Sequence, residues 1–195
     1  METIYYNPQI FVIKNFLTPT ECQSLIDTSE VIGYEEAKVQ TGTNTQTMLK
    51  GVRNNDRILF ENQVMADELY QRALPHLTCK IGYYKMKGFN EMFRFYRYEP
   101  GQRFKMHRDG SFVRNENEQS FFTFLVYLND DFEGGETEFE DIATVQPKTG
   151  DALVFYHPYR HEGKTLLSGK KYVLRTDIMF EKEILNDENN LANLA

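Results

Sequence analysis

Past residue 90 the chain changes its hydrophobic period. MFRFYRY (92–98), FFTFLVYL (121–128), ALVFY (152–156) and KYVLRTDIMF (171–180) alternate or run apolar, and they are dense in aromatic and β-branched residues. The pieces between them, EPGQ, NDDFEGGE, QPKTGD, HPYRHEGK and LLSGK, carry the Gly, Pro and Asn/Asp that turns require. Short strands punctuated in this way pack as a β-sandwich or jelly roll. At 195 residues the chain is long enough for one such domain to enclose a core and a buried site.

The N-terminal part reads differently. Ile10 to Ile13 suits a short strand. Thr18-Pro19-Thr20-Glu21 is a helix start, with Thr18 as cap, Pro19 in the first turn and Glu21 at the capping-box position. Cys22, Leu25 and Ile26 give that helix an apolar face, and Gly33 ends it. Gln40 to Asn55 is polar and rich in Thr and Asn, so it reads as a loop. A second helix is expected over Glu61 to Leu74, with Val64, Met65, Leu69, Ala73 and Leu74 in one stripe and Pro75 as its stop. No repeat or long linker divides the chain. The expectation is therefore one domain over 1–195: helical support over about 1–88, a β core over about 89–182, and a polar, frayed tail over 183–195.

Charge and cysteine content narrow the classes. With 22 basic and 29 acidic residues the formal charge is −7, which disfavours general binding to a phosphate backbone, so no nucleic-acid partner is expected. Cys22 and Cys79 are too few for a disulfide framework or a thiolate metal site. The opening METIYYNPQIFVIKNF lacks the pattern of a signal peptide, and no stretch approaches the ~18 apolar residues of a membrane helix. The chain reads as cytoplasmic and free of membrane; oligomeric state is not legible in it.

The chemistry lies in Tyr98-Glu99-Pro100-Gly101-Gln102-Arg103-Phe104-Lys105-Met106-His107-Arg108-Asp109-Gly110. In an extended segment, side-chain direction repeats every two residues, so His107 and Asp109 project from one face. An imidazole and a carboxylate aimed at one point are two-thirds of a 2-His-1-carboxylate facial triad, which leaves open positions on Fe(II). His161, just after the ALVFY strand, is the best third ligand. Pro158 makes a helical pairing of His157 with His161 unfavourable. Ten residues past His161, Lys171 opens the last long strand and shares a face with Val173 and Arg175. A lone buried cation is costly unless an anion meets it, and the distal carboxylate of 2-oxoglutarate is such an anion.

These elements together resemble the 2-oxoglutarate/Fe(II) oxygenases, in particular their prolyl 4-hydroxylase-like branch. The resemblance spans roughly residues 90–180 and rests on YEPGQRFKMHRD, TFLVYLND, GGETEF (134–139), the Pro147…Gly150-Asp151-Ala152-Leu153-Val154-Phe155 run and His161…Lys171. It implies a double-stranded β-helix (a jelly roll), mainly β with flanking N-terminal helices, and iron held at its mouth by His107, Asp109 and His161. It implies Fe(II) as metal, 2-oxoglutarate and O2 as co-substrates, and ascorbate as a stimulant. By motif position Tyr98 and Tyr127 would contact 2-oxoglutarate, and Lys171 would take its distal carboxylate. Arg175, four residues on along the same face, could take that carboxylate itself or assist. The frame also favours His161 over His157 as the distal ligand, and a retained Asp109 points to hydroxylation rather than halogenation.

Competing readings are weaker. His107-Arg108-Asp109 is the tripeptide of a kinase catalytic loop, but Arg114 stands where that loop needs Asn, and no Gly-rich loop or Asp-Phe-Gly is present. Lys170 points away from the face of Lys171. Gly134-Gly135 serves the backbone as a tight turn or bulge. Val52-Arg53-Asn54-Asn55-Asp56-Arg57 is rich in donors and suits either a substrate contact or a solvated loop, and Arg94 alternates with aromatics on the first core strand. The expected activity is hydroxylation of an amino-acid residue, prolyl first, with 2-oxoglutarate decarboxylated to succinate. A small metabolite or free amino acid is the alternative substrate to a peptide or protein, and a non-catalytic jelly-roll module binding a metal or a partner is the alternative class.

Overall fold

The computed structural model describes residues 1–36, 39–40, 46–47 and 54–183. Its strands come in the order β1 (Thr3–Asn7), β2 (Ile10–Ile13), β3 (Glu35–Glu36), β4 (Val39–Gln40), β5 (Gln46–Thr47), β6 (Asp56–Glu61), β7 (Tyr84–Phe89) and β8 (Met92–Tyr98). There follow β9 (Phe104–His107), β10 (Glu118–Tyr127), β11 (Glu133–Gly134), β12 (Thr137–Phe139), β13 (Ala143–Val145), β14 (Ala152–Tyr156), β15 (His161–Gly163), β16 (Leu166–Ser168) and β17 (Lys171–Lys182). Helix α1 (Pro19–Ile32) lies between β2 and β3, and α2 (Gln63–Ala73) between β6 and β7.

The main sheet has the order β1-β2-β14-β10-β17-β8-β6-β3, with β7 also on β17. A smaller sheet, β13-β12-β15-β9, faces it, and its pairings too are antiparallel. Both faces of the main sheet are covered, which is why its central strands read as continuous apolar runs rather than clean alternation. Phe93, Phe95, Phe122, Phe124, Val154 and Leu174 form one core with α1 and α2. Tyr96, Tyr98, Tyr127, Leu153, Phe155 and Val173 form a second core, against Phe139 and Val145 of the small sheet. This is a jelly roll with helices on its outer face, as the sequence led us to expect.

Both helices are stopped and started by local chemistry. Thr18 and Glu21 make the reciprocal capping box, with Glu21 N–H donating to Thr18 Oγ1 at 3.2 Å and Thr18 N–H to Glu21 Oε2 at 2.8 Å. Gly33 closes α1 with φ of 88°. The expected stripe of α2 needs correction. Val64 is 66% exposed and Leu74 40%, while Ala66, Leu69 and Ala73 are buried. The buried residues repeat as i, i+3 and i+7, and the small side chain of Ala66 lets the helix lie close on the sheet. Asn62 caps α2 by accepting from Met65 N–H at 2.9 Å, so the helix starts two residues later than expected.

The division into helical support and β core also needs correction. Strands β1, β2, β6 and β7 belong to the main sheet, so the N-terminal part supplies sheet as well as helix. β2 runs beside β14, with Ile13 opposite Ala152 and Ile10 opposite Phe155. Strands β1 and β6 are half exposed and lack the apolar density that marks the central strands. Of the polar segment, residues 41–45 and 48–53 lie outside the described residues, as do 184–195 of the expected tail. Val39–Gln40 pairs with Gln46–Thr47, and Asp56 and Arg57 open β6 rather than belonging to a loop. Cys22 and Cys79 are free and buried, and burial pushes their thiols up to about 11 and about 12. No helix among the described residues is long and apolar enough to cross a membrane.

Candidate active site

Strands of both sheets, among them β8, β9, β15 and β17, converge on one cavity. His107 ends β9, His161 begins β15, and the two are register partners on neighbouring strands of the small sheet. Asp109 lies two residues beyond the end of β9, in the loop, where its N–H donates to the His157 carbonyl at 3.3 Å. His107 and Asp109 therefore turn to one point although the strand ends at His107. One ligand atom from each of His107, Asp109 and His161 lies within 4.8 Å of the other two.

The imidazoles are oriented by the backbone. His107 Nδ1 is 2.7 Å from the Lys105 carbonyl and His161 Nδ1 is 3.1 Å from that of Tyr159. A carbonyl can only accept, so Nδ1 carries the proton and the Nε2 lone pair faces the cavity, as a metal requires. Burial, ahead of the charge of His107, lowers His161 to about 4, so its imidazole is neutral at physiological pH. The Asp109 side chain is only 5% exposed, and burial alone would raise its carboxyl. Arg175, His161 and His107 override burial and hold it well below the usual carboxylate range. Two imidazole nitrogens and one carboxylate oxygen on a shared point are a donor set suited to Fe(II). Phe104 covers His107 with rings stacked at 3.6 Å.

Lys171 stands in the same cavity, 4% exposed, at the start of β17 and opposite Tyr98 of β8. Its amine donates to the Gly135 carbonyl and lies 5.4 Å from the ring centres of both Tyr98 and Tyr127. Among the described residues no carboxylate lies within ion-pair distance of it. Burial lowers its amine to about 7, with Glu136 opposing at longer range. Tyr98 borders the cavity. Tyr127 does not: it is fully buried behind Lys171, and its hydroxyl is 2.7 Å from Thr137 Oγ1.

Arg175 is placed unlike Lys171. Its Nη2 is 3.2 Å from Asp109 Oδ2, 3.1 Å from Asp177 Oδ1 and 3.3 Å from Thr123 Oγ1. With two carboxylates on its guanidinium it is a poor candidate for a third. His157, 2% exposed, lies behind Asp177 at 3.7 Å and away from the cavity. Arg94 reaches Asp177 at 3.1 Å rather than the cavity. Sequence reasoning missed Thr123, Phe104 and Gly135. The glycine pair is more than a turn: a Cβ on Gly135 would stand 3.2 Å from Lys171 Cδ, and its carbonyl is the amine's hydrogen-bond partner.

A jelly roll with two imidazoles and one carboxylate at its mouth, and a buried amine in the same cavity, defines an Fe(II) oxygenase of the 2-His-1-carboxylate class. The sequence profile of the 2OG-Fe(II) oxygenase superfamily matches residues 93–176. Prolyl 4-hydroxylase 1 of Arabidopsis thaliana is 28% identical over 88% of this chain and 69% of its own. Prolyl 4-hydroxylase 13 of the same plant is 26% identical over 86% and 70%. Among solved structures, the 2OG complex of the viral collagen prolyl hydroxylase from Paramecium Bursaria Chlorella virus-1 superposes with a TM-score of 0.62. That likeness covers 88% of this chain and 96% of the viral one at 22% identity. A Trichoplax adhaerens prolyl hydroxylase, solved with a peptide fragment of the hypoxia inducible factor oxygen degradation domain, gives 0.67 over 97% and 88% at 16% identity. The chain is similar to the 2OG-Fe(II) oxygenase superfamily over residues 93–176, and to prolyl hydroxylases over most of its length. It is a dioxygenase, and the family's Fe(II), 2-oxoglutarate and O2 are its metal and co-substrates.

Proposed function

We propose that this chain hydroxylates prolyl residues of a peptide or protein, coupling that step to the conversion of 2-oxoglutarate and O2 to succinate and CO2. The observation that carries the reading is the placement of a buried, carboxylate-free Lys171 in the cavity that holds the three metal-binding side chains. His107, Asp109 and His161 would hold Fe(II), which when bound supplies the oxygen activation. Lys171 would receive the distal carboxylate of 2-oxoglutarate, with Tyr98 beside it at the cavity wall. Phe104, Leu125, Phe155 and Val173 line the space between with apolar surface and exclude water from it. The prolyl substrate is inferred from relatives that carry this activity in their names. We place the reaction in the cytoplasm, within a single domain, with ascorbate as a stimulant and no nucleic-acid or membrane partner.

The experiment is incubation of the iron-loaded protein with a panel of proline-containing peptides and, separately, free amino acids. Mass spectrometry should show one added oxygen on a prolyl ring of a peptide. Oxygen added to the free amino acids alone would contradict the peptide reading while leaving the class intact.

The amine of Lys171 also gives the reaction a pH signature. A cation is needed to meet the incoming carboxylate, and the free amine loses its proton above about 7. The affinity for 2-oxoglutarate should be level below that point and fall by about tenfold per pH unit above it. Titration of the Mn(II)-loaded protein between about pH 6.5 and 8.5 checks this. In Lys171→Arg, whose guanidinium keeps its proton, the profile should be flat.

A further inference from the structure

Behind the metal-binding side chains sits a second layer of buried charge. Asp109 Oδ2 accepts from the Thr123 hydroxyl at 2.6 Å and from Arg175 Nη2 at 3.2 Å. Arg175 is itself tied to Asp177 Oδ1 at 3.1 Å, and Arg94 holds Asp177 Oδ2 at 3.1 Å. Thr123 and Asp177 are register partners on β10 and β17, as are Leu125 and Arg175, so the anchor is built on two central strands. Asp109, by contrast, stands on a loop, where nothing in its own backbone would fix the carboxylate plane. Oδ1 is turned to His107, 3.5 Å from its Nε2, and carries neither of these donors, while Oδ2 lies 3.8 Å from Nε2 of His161.

We propose that Arg175 is a positioning residue: with Thr123 it occupies Oδ2 of Asp109 and leaves Oδ1 as that carboxylate's single metal-binding atom. Two donors on Oδ2 make it the poorer ligand, because its lone pairs are already spent. The distinction matters because a carboxylate bound through both oxygens would leave one open position fewer on an octahedral ion. Asp177 keeps the guanidinium in place and offsets its charge, and Arg94 holds Asp177 from its other oxygen. Arg175 thus acts on the metal site through Asp109, and its part differs from that of Lys171, although both lie on one face of one strand.

This inference rests on the metal-site reading, and the test separates the two. Mn(II) is titrated into the apoprotein, with free Mn(II) followed by electron paramagnetic resonance. Wild type should bind one equivalent. Arg175→Gln should weaken that binding by about 10- to 100-fold, the usual cost of removing a ligand's outer partner. Thr123→Val should weaken it in the same direction, and Arg175→Lys should recover part of the loss. The 2-oxoglutarate affinity of the Mn(II)-saturated Arg175→Gln protein should stay at the wild-type value. Unchanged or tighter Mn(II) binding in folded Arg175→Gln would overturn the proposal, as would a loss confined to 2-oxoglutarate binding. Should Arg175→Gln not fold, Arg175→Lys and Thr123→Val decide, and wild-type affinity in both would overturn it. No Mn(II) binding by wild type would remove the metal-site reading itself, and this proposal with it.

Discussion

Lys171→Met should make the apoprotein more stable and abolish its use of 2-oxoglutarate at ordinary concentrations. The amine is buried with a single neutral acceptor, Gly135, and burial lowers it to about 7 from an ordinary value of 10.5. The unfolded chain therefore binds the proton more tightly than the folded one. The penalty is fully present below pH 7 and fades as pH rises towards 10.5. Methionine fills a similar volume without the charge, and the gain near neutral pH should be on the order of 2–4 kcal/mol. Thermal midpoints at pH 6.5 and pH 10 check it, since the gain should be largest at the lower pH. The same change leaves the incoming carboxylate unpaired in a dry site, at a cost of about 3 kcal/mol or more, which is about 100-fold in affinity. A variant that lost both stability and binding would show that Lys171 is a structural residue. One that kept binding would move the carboxylate elsewhere.

Gly150→Ala should be among the most damaging single changes to the fold. Gly150 has φ of 82°, in the left-handed region, and a Cβ there would overlap the carbonyl oxygen of Leu17. That contact is backbone against backbone, so no side chain can yield. The two segments are joined by a hydrogen bond from Leu17 N–H to the Gly150 carbonyl at 3.0 Å, and Gly150 N–H reaches the Tyr127 carbonyl at 2.8 Å. Next to it, Asp151 receives Asn15 N–H at 2.9 Å and pairs with Lys14. The strained φ and the displaced backbone together should cost at least about 3 kcal/mol, read as a shift in the urea midpoint. A loss below about 1 kcal/mol would mean that the N-terminal segment is docked more loosely than its contacts indicate.

That docking bears on how much could be read from the sequence. The four central strands were legible because burial on both faces leaves long aromatic runs, and β8 and β14 have the expected bounds. The capping box of α1 was legible because both partners lie within one turn. Strands β1, β6 and β7 were not: they join the main sheet with much of their surface exposed, and although β1 pairs with the adjacent β2, the partners of β6 and β7 lie far off in sequence. The small sheet was hidden too, since runs of three or four residues are too short to display a period.

The candidate site divides along the same line. His107 and Asp109 are two apart, and Lys171 and Arg175 share a strand face, so local spacing grouped each pair. What spacing could not separate was the two cations. Lys171 donates to the Gly135 carbonyl, 36 residues away, while Arg175 meets Asp109, 66 residues before it, and the fold alone brings those partners together. Tyr98 and Tyr127 divide for the same reason, one at the cavity wall and one behind it.

One assay tests the dioxygenase chemistry most directly. Purified protein is given Fe(II), 2-oxoglutarate and ascorbate, and succinate is measured beside His107→Ala. Succinate should form only with iron present, through slow turnover even without the second substrate, and should be absent with His107→Ala. No succinate from wild type, together with no binding of 2-oxoglutarate to the metal-loaded protein, would contradict it and leave a jelly roll that binds without catalysing.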